Sequence, residues 1–413
     1  MQDLILQHLD DPYSLEALYR EHKNAFKKAF AALYPSIQHH VVAQCWHARL
    51  RDERDEVRWG TKNEWLRVML LGLLAGVAAK LPDWLSIRPE DFYPRFAGFI
   101  VFPFLMLFFM WEKHIRFRNV VWVWIMCAIA FLYMLFLPGN WKKDTFLLAC
   151  LYMPVLLWAL LGVVYMHNRL SDQQDRFLYL QYNGDLVVMT QLILAAGAAF
   201  TGITFALFSL IQVHLQEIYF QYIGIWGLAA SPIVATYLIE TNPQLVRKIS
   251  PIIATIFAPL TLLMLVSYLI TLLFIGKNPY NDRDFLLVFN LVLIGVMAII
   301  FFSVVSISES LSGFMTWILL ALSIVTLLFC GIALSAIVFR TFKWGITPNR
   351  LAVLGNDVLM MINLLLIAYQ LFRTIAYKHA PEAVYHSITS FLPVYVLWAI
   401  CVSFLFPVVF HFQ

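Results

Sequence analysis

Residues 315–338 read MTWILLALSIVTLLFCGIALSAIV, with no charged side chain and no proline. At about 1.5 Å per residue, a helix of this length spans roughly 36 Å. That exceeds the hydrocarbon layer of a bilayer, roughly 30 Å thick, where a helix satisfies its own backbone hydrogen bonds. The rest of the chain repeats the pattern. Of its 413 residues, 61% are apolar and 13% charged, and the mean hydropathy is +0.75. A soluble core has no use for so much apolar surface, so the sequence predicts an all-α, polytopic transmembrane helical bundle.

Working outward from residues 315–338, eleven spans are expected. The first half contributes Trp65 to Leu81, Phe96 to Trp111, Val120 to Leu137, Phe146 to Met166, Leu186 to Ile211 and Ile218 to Ile239. The second contributes Ile252 to Ile275, Phe285 to Ile307, Met315 to Val338, Leu351 to Leu371 and Ile388 to Phe410. Trp65, Trp111, Trp141, Tyr219 and Tyr377 fall near their ends, where amphipathic rings suit the headgroup level.

Residues 1–64 read as a small cytoplasmic helical hairpin ahead of a transmembrane domain at 65–413. No cleaved export signal is expected, because the first apolar run is short and carries acids. Asp11-Pro12 offers a helix start, and Leu15, Leu18, Tyr19, Phe26, Phe30 and Leu33 recur at helical spacing up to a break at Tyr34-Pro35. Ile37, Val41, Cys45, Arg49 and Leu50 mark a second amphipathic face. Leu18, Phe26, Phe30 and Trp46 must be buried somewhere, against a protein partner or against one another.

Orientation follows from the basic residues of short loops. Arg49, Arg51, Arg54, Arg58, Lys62 and Arg67 crowd the first span and place the N-terminus in the cytoplasm. Alternation puts Lys113, Arg116, Arg118, Arg169, Arg176, Arg247 and Lys248 on that side and Gln413 opposite. Arg340, Lys343 and Arg350 then fall outside, whereas the inner loop Ser308 to Gly313 has no base. Either the span count shifts or the basic loop has a purpose.

Soluble-enzyme signatures are absent: there is no phosphate-cradling loop, dinucleotide fingerprint, zinc-protease motif or nucleophile elbow. No catalytic residue and no cofactor is therefore assigned. The net charge of +4 is accounted for by topology, so the expected surroundings are the lipid bilayer and not nucleic acid. Cys45, Cys127, Cys150, Cys330 and Cys401 show no CxxC spacing and read as packing residues with one soluble thiol. His39, His40, Cys45 and His47 match no zinc pattern.

Polar residues within spans carry the functional information, because an ionisable group in hydrocarbon costs several kcal/mol unless it faces water, a partner or the bundle interior. The tenth span concentrates them. Asn349, Asn356, Asn363 and Gln370 recur at seven-residue intervals, with Arg350 and Asp357 forming an adjoining row. Seven residues are about two turns, so one polar face results. That face either fixes helix packing through amide hydrogen bonds or lines a polar pathway or ligand site. In the second case Arg350 meets an anionic group and Asp357 an ion or proton. Gln191 and Asn290 are isolated amides. The Ala195/Ala199 and Ala198/Gly202 spacings suggest close helix packing. Pro103, Pro154, Pro232, Pro259, Pro393 and Pro407 suggest kinks or breaks.

Leu15-Glu16-Ala17-Leu18-Tyr19-Arg20, the Ala25-Phe26 to Leu33-Tyr34-Pro35 segment, Trp59-Gly60-Thr61-Lys62 and Gly345-Ile346-Thr347-Pro348-Asn349-Arg350 resemble an uncharacterised bacterial polytopic inner-membrane family with a G-[LI]-T-x-x-R loop. The resemblance covers most of the chain and implies a helical fold in a bacterial inner membrane, without an activity to transfer. Transport of a small solute or ion is the leading expectation. A signalling, assembly or scaffold role follows, and a membrane-embedded enzyme comes last.

Overall fold

In a computed structural model, the chain is described at residues 1–9, 11–52, 60–138, 143–170, 172–210, 219–275, 283–307, 313–377 and 382–412, with helices and no strand among them. Arg54, Arg58, Trp59, Trp141 and the 308–312 loop lie outside the described residues, as do the side chains of Arg51, Arg247, Lys248 and Tyr377. The chain divides into two compact units, Met1–Trp59 and Gly60–Gln413.

The first unit contains α1 (Gln2–Gln7), α2 (Pro12–Glu21), α3 (Lys23–Ile37) and α4 (Val41–Asp52). The Asp11 side chain caps α2 by accepting from the Tyr13 and Ser14 amides, with Pro12 in the first turn. Four helices thus replace the expected hairpin. The first amphipathic run breaks at His22, whereas Pro35 is tolerated two residues from the end of α3, where the Ser36 hydroxyl takes up the Leu33 carbonyl. Phe26, Phe30 and Trp46 are buried with Ile5, Leu15 and Tyr19 in one cluster, so their burial is met within the unit. Arg49 lies over the Tyr19 and Trp46 rings and pairs with Glu16, which also binds Arg20. These partners hold the Glu16 carboxyl below its ordinary range.

The second unit is the membrane domain. Its helices are α5 (Lys62–Trp84), α6 (Pro89–Glu112), α7 (Phe117–Phe136), α8 (Asp144–Tyr165) and α9 (Gln173–Leu210). After a π-helical turn at Phe220–Gly224 come α10 (Ile225–Thr241), α11 (Pro243–Ile275), α12 (Arg283–Ile307), α13 (Gly313–Trp344) and α14 (Pro348–Tyr377). The last span is built in pieces: α15 (Glu382–Thr389), α16 (Leu392–Ile400), a π-helical turn at Cys401–Leu405, and α17 (Phe406–Val409). Among the described residues, ten helices are long and apolar enough to cross a membrane, and a shorter apolar stretch, Phe289–Val305, lies in α12. Residues such as Leu66, Met69 and Leu73 of α5 and Ile125, Ile129 and Leu132 of α7 are exposed. A bilayer covers such faces without penalty.

Sequence punctuation starts these helices. Gly60 takes φ +68° and Thr61 forms a capping box with Glu64, which fixes the entrance of α5. The domain interior forms two large apolar clusters. One joins α5 through α8 with α10, and the other joins α11 through α15. Helix α9 contributes Tyr179 and Tyr182 to the first and Leu180 to the second, and the last span likewise touches both. A smaller group made of Leu148, Ala352, Val402 and Phe406 lies where they meet.

The span expected over Ile388 to Phe410 is interrupted, for an identifiable reason that involves its prolines. Proline has no N–H, so Pro393 and Pro407 leave the carbonyls four residues earlier, at Thr389 and Ser403, without their helical donors. Other helices supply replacements. Arg176 of α9 donates to the Thr389 carbonyl at 3.3 Å, and the Tyr133 hydroxyl of α7 donates to the Ser403 carbonyl at 2.6 Å. Tyr133→Phe should therefore cost about 1–3 kcal/mol, the price of orphaning a buried carbonyl. Thermal denaturation in detergent would measure it, and an unchanged midpoint would mean the break does not depend on this donor.

The close packing expected at Ala195/Ala199 and Ala198/Gly202 is not found among the described residues. Ala195, Ala198, Ala199 and Gly202 are exposed, and no atom of the described residues approaches the Cβ positions of Gly197 or Gly202 within 4 Å. The close approach occurs instead between α5 and α10, where Trp226 packs directly on Gly76.

Candidate functional site

Helix α14 is set in place by its first turn. Gly345 turns the chain at φ +82°, Pro348 begins the helix, and the Thr347 hydroxyl accepts from the Arg350 amide at 3.3 Å. The Arg350 guanidinium reaches back to the carbonyls of Trp344 and Gly345 at 3.0 and 2.7 Å. Arg340, Lys343 and Arg350 all lie over the Trp344 ring, at 5.4, 5.1 and 5.9 Å. The basic loop therefore has a local use. Its cations stand at the C-terminal end of α13, where unpaired carbonyls favour positive charge. Arg350 belongs to this helix junction, one end of the row it shares with Asp357.

Further along α14, sidedness is clear. Asn349, Arg350, Asn356 and Gln370 are half-buried, while Asp357 and Asn363 are buried. Ile362, Leu365, Leu366, Tyr369 and Phe372 are exposed on the outward side. Asp357 retains 1% of its surface, and neither of its carboxyl oxygens has a hydrogen-bond partner among the described residues. It stands about 10 Å along the helix from Arg350 at the usual rise per residue.

The surroundings of Asp357 come from several helices. Cys330 of α13 and Tyr152 of α8 lie within electrostatic range of the carboxyl. The Tyr152 hydroxyl is also close to Asn356 and to the Trp398 indole of α16. About two turns on from Asn356, Asn363 donates its amide to the Tyr395 hydroxyl at 3.2 Å, while among the described residues its own carbonyl oxygen is buried without a hydrogen-bond partner, as is the Trp398 indole nitrogen. Trp398 can approach because residue 355 is glycine: a Cβ there would stand 1.9 Å from the ring. The structure thus gathers Asn356, Asp357 and Asn363 with Tyr152, Cys330, Tyr395 and Trp398. Asn349 and Arg350 remain at the helix entrance, and Gln370 lies a further seven residues on.

This site joins the two apolar clusters. Tyr152 packs against the first and Tyr395 against the second, and both apolar sides keep water's dielectric screening away from the carboxyl. No Lys, Arg or His among the described residues is bonded to it. A carboxyl so placed is stable as the neutral acid, or as the anion beside a cation. The neighbouring amide and phenol oxygens are hard donors suited to a proton or a small hard cation. Among the described residues, no group of three His, Cys, Asp or Glu is arranged to hold a metal ion, and the five cysteines are free.

No family model, curated protein or solved structure matches the chain. The resemblance to a bacterial membrane family thus rests on the sequence segments that carry it, Leu15 to Arg20, Ala25 to Pro35, Trp59 to Lys62 and Gly345 to Arg350.

Sequence reasoning missed several polar residues inside the membrane domain. Asp185 of α9 is buried and accepts from Ser250 of α11 at 2.5 Å, and Lys80 of α5 is buried beside Asp83. Both stood at the edges of the expected spans. Tyr395 and Trp398 carried one usable signal, since Pro393 and Pro407 flank them.

Proposed function

We propose that this protein is a transporter of a small solute or ion in which Asp357 takes up and releases a proton or small cation. The supporting observation is a carboxyl with 1% exposure and no hydrogen-bond partner among the described residues, located between two apolar clusters and beside an interrupted span. Interrupted helices near the middle of a bundle are a recurring means of building ion sites in transporters. In this reading Asn356, Asn363 and Tyr395 line the polar path. Asn349 and Gln370 extend it, and Arg350 sets the entrance of its helix. The proposed setting is a bacterial inner membrane, with the N-terminus cytoplasmic and the C-terminus opposite.

A signalling or scaffold role is the second reading, favoured by a first unit with its own apolar cluster. Phe26, Phe30 and Trp46 bury one another there, which removes the sequence argument that a protein partner is needed to cover them.

A hydrophobic carbodiimide, which reacts with protonated carboxyls in apolar surroundings, tests the transport reading without knowledge of the substrate. Peptide mass analysis should find the label on Asp357, decreasing as pH rises and missing in Asp357→Asn. Cysteines placed at 356 and 363, in a chain cleared of native cysteines, should react with a small polar thiol reagent. Absence of both reactions would leave a sealed helix contact and sink the proposal.

A further inference from the structure

Away from Asp357, a cavity of about 260 Å³ opens between the ends of α6, α8 and α9. This is just below the roughly 300 Å³ at which pockets for drug-sized ligands begin. Its polar wall consists of Lys113, His167, Arg169 and Asp175, and its apolar wall includes Met166 and Leu178. Lys113 and Tyr165 directly adjoin the ends of two membrane spans, Pro89–Glu112 and Asp144–Tyr165, and Asp175 lies in the first turn of a third. The cavity is therefore at headgroup depth.

The charges are organised. Lys113 Nζ donates to the Tyr165 carbonyl at 3.0 Å and stands 3.5 Å from the centre of the Tyr165 ring. That contact fixes the ammonium in the wall and leaves two of its three donors. Burial pushes this ammonium below its ordinary range, while Glu240 and Asp175 act the other way. A ligand anion would support the charged form further. His167 and Asn168 turn the chain in the left-handed region, at φ 51° and 65°, just before Arg169, an exposed residue that lines the cavity. Asp175 lines the same cavity within electrostatic range of Lys113 and supplies a place for positive charge. Leu178 lines the cavity and is 38% exposed, an apolar side chain open to the surroundings of the cavity.

We propose that this cavity binds a phosphate ester carrying a primary amine, the phosphate meeting Arg169 and Lys113 and the amine meeting Asp175. Such a group occurs both as an aminophospholipid headgroup and as a soluble phosphoamine. The inference is independent of the Asp357 reading, because the two sites share no residue.

The test uses the full chain purified in detergent, with binding measured by native mass spectrometry. The probes are phosphatidylethanolamine, phosphatidylglycerol and soluble phosphoethanolamine. The wild-type protein should retain a phosphoamine probe over phosphatidylglycerol by roughly tenfold, the effect of one charge-assisted hydrogen bond. Arg169→Ala should weaken both lipids, and Asp175→Asn should bring their retention close to equal. Preference for the diacyl probe over soluble phosphoethanolamine assigns the site to lipid, and the reverse assigns it to a soluble ester. Equal retention of the two lipids with no binding of phosphoethanolamine, or a preference unchanged by both substitutions, would overturn the proposal.

Discussion

Asp357→Leu is expected to yield a more stable protein that has lost ion- or proton-linked activity. Among the described residues the carboxyl oxygens have no hydrogen-bond partner, and a buried polar group in that condition costs about 1–3 kcal/mol. Leucine is similar in bulk and removes that cost, so its denaturation midpoint in detergent should rise by a corresponding amount. Asp357→Asn separates the two effects: it keeps a polar group in the same place and should change stability little, while abolishing titration at this position. An acid retained against its own stability cost is the pattern expected of a functional residue. The opposite outcome is equally definite. If both variants are destabilised and activity in the leucine variant tracks the amount of folded protein, Asp357 serves helix packing.

The span pattern was legible because the membrane imposes one requirement on every crossing segment, and runs such as residues 315–338 satisfy it without help from neighbours. The polar face of α14 was legible for a related reason: seven residues return nearly to the same side of a helix. Features that depend on a second helix were not. Asp185 interrupts the apolar pattern of α9, yet it is accommodated because Ser250, sixty-five positions later, donates to it. The break in the last span could be suspected from its prolines, but Arg176 and Tyr133 became its donors only through folding. Arg350 illustrates the same limit. Its spacing from Asp357 grouped the two, whereas the carbonyls of Trp344 and Gly345 engage its guanidinium at the helix junction. The small residues of α9 show the converse, a pattern suited to close packing on a face that none of the described residues covers.

Gly355→Ala tests whether the last span is seated as closely on α14 as the structure has it. By helix propensity alone, alanine in place of an interior glycine should stabilise by up to about 1 kcal/mol. Here the added Cβ would stand 1.9 Å from Cζ2 and 2.3 Å from Cη2 of Trp398, so one of the two helices must move. The indole has little room to yield, because its other contacts include Phe406 at 5.9 Å, edge to face, beyond the π-helical turn. Overpacking of this kind costs about 1–3 kcal/mol and outweighs the propensity gain. The expected result is a lower denaturation midpoint for Gly355→Ala, accompanied by altered carbodiimide reactivity at Asp357 two residues away. Trp398→Leu in the same chain should relieve the clash, so the double variant should be more stable than the sum of the single effects allows. A Gly355→Ala protein at least as stable as wild type would show that Trp398 does not lie against this turn of α14, and the enclosure of Asp357 would lose one of its walls.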